Sequence, residues 1–446
     1  MNWADSSIFY HIYPLGFCSA PEENDFLSDP VPRMQKITEH LPHLERLGIG
    51  AVYLGPVWES DRHGYDTADY KKIDRRLGTN ETFKELIQAF HKAGIRVVLD
   101  GVFHHTGRHF GPFLDVKKNR EHSPYRDWFY LRFDGDSPYQ DGFWYEGWEG
   151  HYELVKLNLQ NPAVRQSLFH SVETWIQDFN IDGIRLDVAY SLDHDFLREL
   201  SARCKTMRPD FWLLGEMIHG DYNMLMQPGM LDSVTNYECY KGLYSSFNSR
   251  NLFEIAYSLN RQFGADPWCL YTGRHLYNFA ENHDVTRIAS ILQEPLHLPL
   301  LYTLLYTMPG IPSLYYGGEW GQQGKKEQGD NALRPAAPPK PDFPPLAEHL
   351  ARLAQVRKNS QALCSGAYRQ LYLTNQQMIF ERALGEERII IGLNISPDNY
   401  TAYFDAGVKE ATDMLTGSPL LFADGLQMAP YSSFVAKVSS LSLIHI

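Results

Sequence analysis

The stretch Ile181-Asp182-Gly183-Ile184-Arg185-Leu186-Asp187 reads as a short apolar strand that ends on a carboxylate. Side chains alternate along a strand, so Arg185 and Asp187 point to the same side at its C-terminal end. A guanidinium that close favours the ionised carboxylate and lowers its pKa. A carboxylate held charged at neutral pH serves as a nucleophile or a metal ligand. The alternative is a plain surface ion pair, and the segments on either side decide between the two.

Strand-like and helix-like segments alternate outward from this stretch. Upstream lie strands at Ile8–Tyr13, Ala51–Leu54 and Arg96–Phe103, with helical spacing over Met34–Leu47, Phe83–Ala93 and Asn161–Phe179. Downstream come a helix over Asp195–Met207, strands at Phe211–Glu216 and Ser233–Tyr237, and a helix over Leu252–Phe263. A strand at Leu276–Ala280, a helix over Leu298–Thr307 and a strand at Ser313–Tyr316 complete the series. Eight strands separated by helices predict a (β/α)8 TIM barrel, an α/β fold. Asp187 to Glu216 spans 29 positions and Asp284 to Glu319 spans 35, each the length of one βα unit. Asp100 to Asp187 spans 87, one unit plus an insertion at 104–157 that is rich in Tyr, Trp, Phe, Gly and Asp and shows no helical period. A long loop at the C-terminal end of a barrel strand normally builds the active site. The Pro- and Lys-rich segment Arg334–Pro345 reads as a loop, and Glu348–Lys358 as the closing helix. Beyond residue 366 short alternating strands predict a small antiparallel β domain. The chain thus divides into a barrel (1–103 and 158–360), an insert (104–157) and a C-terminal β domain (361–440). The last residues, Leu441–Ile446, continue no pattern before them.

Three acids end barrel strands in this reading: Asp187 on the fourth, Glu216 on the fifth and Asp284 on the seventh. Catalytic groups of barrel enzymes come from these ends. Neighbouring strands put the Asp187 and Glu216 carboxyls roughly 5 to 6 Å apart, the separation of a retaining glycosidase. Glu216 sits in Leu213-Leu214-Gly215-Glu216-Met217-Ile218, an apolar setting expected to raise its pKa, whereas Arg185 keeps Asp187 charged. Two acids pushed apart in pKa are the signature of an acid and a nucleophile. His105, after the third strand, and His283, before Asp284, supply neutral donors, and Tyr65 offers a ring for stacking. Phe143-Trp144-Tyr145-Glu146-Gly147-Trp148 in the insert is either the insert's own core or, through Trp148, a stacking wall for sugars.

Composition fits an ordinary globular protein with a neutral ligand. The net charge of −13 argues against nucleic acid or an anionic membrane as partner. Aromatic residues make up 13% of the chain, a surplus that suits sugar rings or nucleobases, although most aromatics in any protein are core. Cys18, Cys204, Cys239, Cys269 and Cys364 follow no disulfide or metal spacing, so they read as free thiols in a reducing compartment. The first residues carry no signal-peptide pattern and no run is long enough to span a membrane. A cytoplasmic location is expected.

The blocks Asp100-Gly101-Val102-Phe103-His104-His105, Gly183-Ile184-Arg185-Leu186-Asp187, Gly215-Glu216 and Asn282-His283-Asp284 resemble, in order and spacing, the motifs of the α-amylase family of glycoside hydrolases. The resemblance implies Asp187 as nucleophile, Glu216 as general acid/base and Asp284 as a third acid on sugar hydroxyls. It also implies Tyr65, His105, Arg185 and His283 lining the subsite on the nonreducing side, with Asp100 in support. The insert would be domain B and the C-terminal region a β-sandwich. Lys156-Leu157-Asn158, Val188-Ala189, His219 and Asp232-Ser233-Val234-Thr235-Asn236-Tyr237 resemble the neopullulanase/cyclomaltodextrinase branch. That branch acts on α-1,4 bonds, and in some members α-1,6 bonds, of small or cyclic maltodextrins. Its members carry an N-terminal β domain that helps form dimers; this chain starts at the first barrel strand, so oligomeric state stays open. The family usually has Asn before the motif histidine, in many members a calcium ligand; here it is His104. Calcium prefers oxygen donors, so His104 disfavours the family's calcium site, and no cofactor is expected. The expected activity is retaining hydrolysis of α-glucosidic bonds in oligosaccharides. The rivals are transglycosylation at the same site and a non-catalytic sugar-binding barrel.

Overall fold

The computed structural model describes residues 2–438, so Leu441–Ile446 lie outside the described residues. Eight strands form the central sheet: β1 (Phe9–Ile12), β2 (Ala51–Leu54), β3 (Arg96–Gly101), β4 (Gly183–Leu186), β5 (Trp212–Gly215), β6 (Ser233–Val234), β7 (Tyr277–Phe279) and β8 (Ile311–Tyr315). Their order is β6-β5-β4-β3-β2-β1-β8-β7, every pair parallel. A parallel bridge between Thr235 and Tyr277, with the Asn236 N–H donating to the Tyr277 carbonyl at 2.9 Å, joins the two ends into a barrel.

Period-two alternation explains what fills it. One set of side chains, including Tyr10, Ile12, Val52, Leu54, Val97, Leu99, Ile184 and Leu213, packs outward under the helices. The alternate set turns into the lumen. Near the strand starts it is apolar: Phe9, Ala51, Val98, Trp212, Tyr277 and Ile311 form a separate cluster. Two positions further along, the same inward alternation delivers His11, Tyr53, Asp100, Arg185 and Ser313, all buried. The barrel is therefore plugged at its floor and polar towards its mouth. Gly183 is forced by the close approach of β5, because a Cβ there would meet the Trp212 backbone carbonyl at 2.5 Å.

The main helices are α1 (Asn80–Lys92), α2 (Gly111–Asn119), α3 (Pro162–Phe179), α4 (His194–Met207), α5 (Tyr237–Ser249), α6 (Phe253–Phe263), α7 (His297–Thr307) and α8 (Pro345–Lys358). Local chemistry sets their starts. Thr79 caps α1, Asn161 with Pro162 opens α3, and Asp193 accepts from the Phe196 N–H at 2.8 Å to open α4. The expected helix over Met34–Leu47 is two short ones, Gln35–Glu39 and Leu41–Arg46, broken next to Pro42. A hairpin of Trp58–Ser60 with Thr67–Ile73 and the whole of α5 were not expected from the sequence. Residues 104–157 do contain a helix, α2, which buries Phe113 and Val116, contrary to the aperiodic reading. They also carry a small sheet of His105–Thr106, His151–Lys156 and Gly147–Trp148.

After the barrel come β9 (Ala367–Leu373), β10 (Gln377–Leu384), β11 (Glu387–Asn394), β12 (Glu410–Asp413), β13 (Pro419–Leu421) and β14 (Ser432–Lys437). They form an antiparallel sheet in the order β9-β10-β11-β14-β12-β13. One face packs on the barrel; the other meets a two-stranded sheet of Tyr400–Ala402 and Leu426–Met428 across a second apolar cluster. No helix among the described residues is long and apolar enough to cross a membrane.

Candidate active site

Strand register assembles the site. Arg185 lies opposite Asp100 on one side and Leu214 on the other. The ladder runs one residue past the strands: the Asp187 N–H donates to the Gly101 carbonyl at 3.1 Å and the Glu216 N–H to the Leu186 carbonyl at 3.0 Å. Asp187 and Glu216 therefore stand side by side at the barrel mouth. Arg185 serves all three acids around it: Nη1 donates to Asp100 at 3.0 Å and to Asp187 at 2.8 Å, and Nη2 lies 3.1 Å from Glu216 Oε1.

Asp100 is held further by Tyr53 and Tyr65, whose hydroxyls donate to it at 2.7 and 2.9 Å. The Tyr65 hydroxyl also sits 2.5 Å from His283 Nε2, and the two rings stack at 5.4 Å. His283 Nε2 lies 3.1 Å from Asp284, so the line Asp100–Tyr65–His283–Asp284 crosses the mouth. His105 Nε2 lies 3.8 Å from Asp187 Oδ2, buried and with no hydrogen-bond partner among the described residues. Burial pushes the His105 and His283 imidazoles well down, which keeps both neutral. Trp148 stands 6.1 Å from the His105 ring and lines the cleft. The aromatic group of the insert is thus split: Phe143 and Tyr145 are its core, and Trp148 faces the cleft.

The cleft measures about 570 Å³, and Tyr65, His105, Trp148, Asp187, Glu216 and Asp284 line it. All nine residues singled out from the sequence gather at this mouth, with Asp100, Arg185 and His283 supporting from beneath it. The electrostatic expectation needs correction. Arg185 does not hold Asp187 low: burial raises Asp187 well above the ordinary carboxylate range, Arg185 opposes, and the neighbouring Glu216 and Asp100 add to the rise. Glu216 and Asp100 are also raised, first by burial and against the same guanidinium. One cation is shared by three buried carboxyls, and burial outweighs it at each.

Three features were not legible in the sequence. Arg334, in the segment read as a loop, donates through Nη2 to Asp284 at 3.0 Å and through Nε to the His283 carbonyl at 3.0 Å. No periodicity marks it. Val188 takes φ +50°, a region β-branched residues avoid, and its N–H donates to Glu216 Oε2 at 2.8 Å. His11 lies beneath His283, ring edge to ring face at 5.2 Å, as a buried member of β1.

Residues 11–358 match the model of the alpha-amylase catalytic domain. A cyclomaltodextrinase of a Bacillus species is 31% identical over 426 residues, 90% of this chain and 74% of that protein. Neopullulanase 2 of Thermoactinomyces vulgaris is 29% identical over 469 residues, 97% of this chain and 78% of that protein. The structure of the cyclic alpha-maltosyl-(1→6)-maltose hydrolase of Arthrobacter globiformis, in complex with cyclic alpha-maltosyl-(1→6)-maltose, superposes with a TM-score of 0.84 at 28% identity, covering 98% of this chain and 99% of that one.

Proposed function

The chain belongs to the alpha-amylase family of glycoside hydrolases, in the company of its neopullulanase/cyclomaltodextrinase branch, and from that premise we propose that it is a retaining hydrolase of α-glucosidic bonds in malto-oligosaccharides or cyclic maltodextrins. The observation that carries the reading is the pair Asp187 and Glu216 on adjacent strands, bound to one guanidinium. The names and bound ligand of the relatives support the substrate class.

In this mechanism Asp187 attacks the anomeric carbon while Glu216 gives its proton to the departing glycosidic oxygen. The C1–O bond breaks and a glycosyl ester forms on Asp187. Glu216, now a carboxylate, takes a proton from water; the water oxygen attacks C1 and frees Asp187. Burial raises the Glu216 carboxyl, which suits an acid working near neutral pH, while the Val188 N–H supports its charged form for the second step. Asp284, fixed by Arg334, takes sugar hydroxyls; His105 and His283 donate to them; Tyr65 and Trp148 offer rings. His104, buried beside His105 with Nδ1 at 3.2 Å from its Nδ1, presents nitrogen where a calcium ligand needs oxygen. We propose calcium-independent catalysis, and unchanged turnover after chelation with EDTA is the expected result. The four buried thiols and half-buried Cys269, none paired, support work in a reducing cytoplasm on imported oligosaccharides.

The test is a panel of maltotriose, cyclodextrins, panose, isomaltose and pullulan with product chromatography. Glucose and maltose from maltotriose or cyclodextrin are expected, with panose and pullulan reporting any α-1,6 cleavage. Chains longer than maltotriose appearing first would make transglycosylation the activity. Glu216→Gln should lower kcat by about 10²- to 10⁴-fold. Unchanged turnover in that variant overturns the assignment and leaves a sugar-binding barrel.

A further inference from the structure

A second cavity, of about 260 Å³, opens at the other end of the barrel. Its walls are the segment that leads into β7, Pro309-Gly310 before β8, and residues 364–368 with β10 of the C-terminal sheet. It thus sits at the strand starts, behind the apolar plug, and across the seam between barrel and sheet.

Its chemistry is the reverse of the molecule's. The chain carries −13 overall, yet Arg274, His275 and Arg382 line this cavity and no carboxylate does. Arg382 is buried and has no acidic partner among the described residues. It donates to the Thr307 carbonyl at 2.8 Å and through Nε and Nη2 to the Gly366 carbonyl at 3.3 and 2.9 Å. A guanidinium has five N–H donors, so two are left over. The Tyr368 hydroxyl, in the same wall, is buried with no hydrogen-bond partner among the described residues, and so is His275 Nδ1. Arg274 stands exposed at the rim and forms no ion pair among the described residues. Asp5 lies 3.9 Å from His275 Nε2 and already accepts from the Asn2 N–H at 2.7 Å. Burial pulls Arg382 down to about 9, helped by the neighbouring Arg357 cation, as a charge without a counter-ion should be. Buried cations are ordinarily paired.

We infer that this cavity binds a small phosphate-class oxyanion, through Arg382, Tyr368 and His275 inside and Arg274 at the rim. A tetrahedral dianion takes donors from several directions at once, and a guanidinium fork matches it. A halide would leave most of these donors unused. The donors come from both sides of the seam, so the anion fastens the C-terminal sheet to the barrel floor, away from the catalytic acids.

The experiment is isothermal titration and thermal unfolding of the full chain with inorganic phosphate and with glucose 6-phosphate, against sodium chloride of equal ionic strength. Saturable binding and a rise in Tm with phosphate but not chloride are expected. Arg274→Ala, an exposed site, should weaken binding about tenfold and leave glucan hydrolysis unchanged; Tyr368→Phe should weaken it as well. Tighter binding of glucose 6-phosphate identifies a phosphate monoester as the occupant, and equal binding identifies free phosphate. Identical responses to phosphate and chloride, or unaltered binding in both variants, overturn the inference.

Discussion

A guanidinium neutralises one carboxylate, and Arg185 has three within 3.1 Å. The period of two along β4 made the Arg185–Asp187 pair readable from the sequence. The other two partners were not readable, because they come from the register of β3 and β5 against β4. The same blindness explains the pKa correction: a pair suggests a lowered acid, whereas burial of a whole cluster raises all of them. Arg185→Gln should therefore do two things. It removes the one opposing charge, so Asp187 rises further. The nucleophile must be ionised, so its pKa sets the acid limb of the kcat/KM profile, and that limb should move to higher pH. The maximum should fall by at least about 10²-fold, since the same cation stabilises charge in the transition state. A lower maximum with the acid limb unmoved would mean that Arg185 only positions the acids. Arg334 sits on the opposite side of the mouth in a segment with no period, so nothing short of the folded chain places it against Asp284.

At the scale of elements, β4 matters at both ends. Asp187 follows its last residue, and Asp182 precedes its first. Burial of Asp182 would raise its pKa, but His91, Arg96, the Val97 N–H and Arg208 outweigh it and hold the carboxyl below the ordinary range. His91 lies in the last turn of α1, Arg96 opens β3 and Arg208 follows α4, so one carboxylate ties three neighbouring elements. A folded-state pKa below the unfolded one stabilises above the unfolded value, near 3.9, and the contribution fades as pH falls through the folded value. Asp182→Asn should cost about 3 kcal/mol at pH 7, measured by urea unfolding. The gap to the wild type should narrow as the pH is lowered through 4, and kcat should not change, because Asp182 lies at the end of β4 away from the acids. A gap constant with pH would make the loss one of packing. The strongest elements were legible: every barrel strand was placed, most of them as compact apolar runs such as Ala51–Leu54 and Trp212–Gly215. The misses share a cause. α5, Tyr237-Glu238-Cys239-Tyr240-Lys241-Gly242-Leu243-Tyr244-Ser245-Ser246-Phe247-Asn248-Ser249, is full of aromatic, serine and glycine residues that favour helix weakly. It exists because Asn236 caps it and the barrel buries Cys239, Leu243 and Phe247. In the insert, α2 has only Phe113 and Val116 to bury, too few to show a period. Trp148 belongs to the same insert but lines the cleft, so Trp148→Ala should raise KM several-fold with little loss of kcat, roughly one lost stacking contact of about 1 kcal/mol. An effect on unfolding instead of on KM would return it to the insert's core.

The whole molecule is bound together by α7. Helices on the outside of a barrel usually keep a polar face for water. His297-Leu298-Pro299-Leu300-Leu301-Tyr302-Thr303-Leu304-Leu305-Tyr306-Thr307 has none: all its residues but Pro299 are buried. The sequence shows a helix there, but what covers its outer face is a matter of tertiary contact. The cover is the C-terminal sheet. β11 and β14 pack on α7, and Thr303 links to Ser433 at 3.1 Å and to His349 of α8 at 2.9 Å. Alternation in the sheet matches this: Ile389, Ile391 and Val435 join the barrel's core, while Ile390, Phe434 and Ala436 turn to the second layer. Buried Arg382 of β10 reinforces the seam by donating to the Thr307 carbonyl at the end of α7. Uncovering a large apolar side chain costs about 1.5–3 kcal/mol, and α7 would expose several at once. That sum is comparable to the ~5–15 kcal/mol that separates folded from unfolded domains. The barrel and the sheet should accordingly unfold together. Calorimetry of the full chain is expected to show one transition, and a chain ended at Asn359, although it keeps every residue of the active site, should accumulate only as insoluble protein. Two resolved transitions, or a soluble and active shortened chain, would show that the barrel stands without its cover and that the apolar face of α7 has another role.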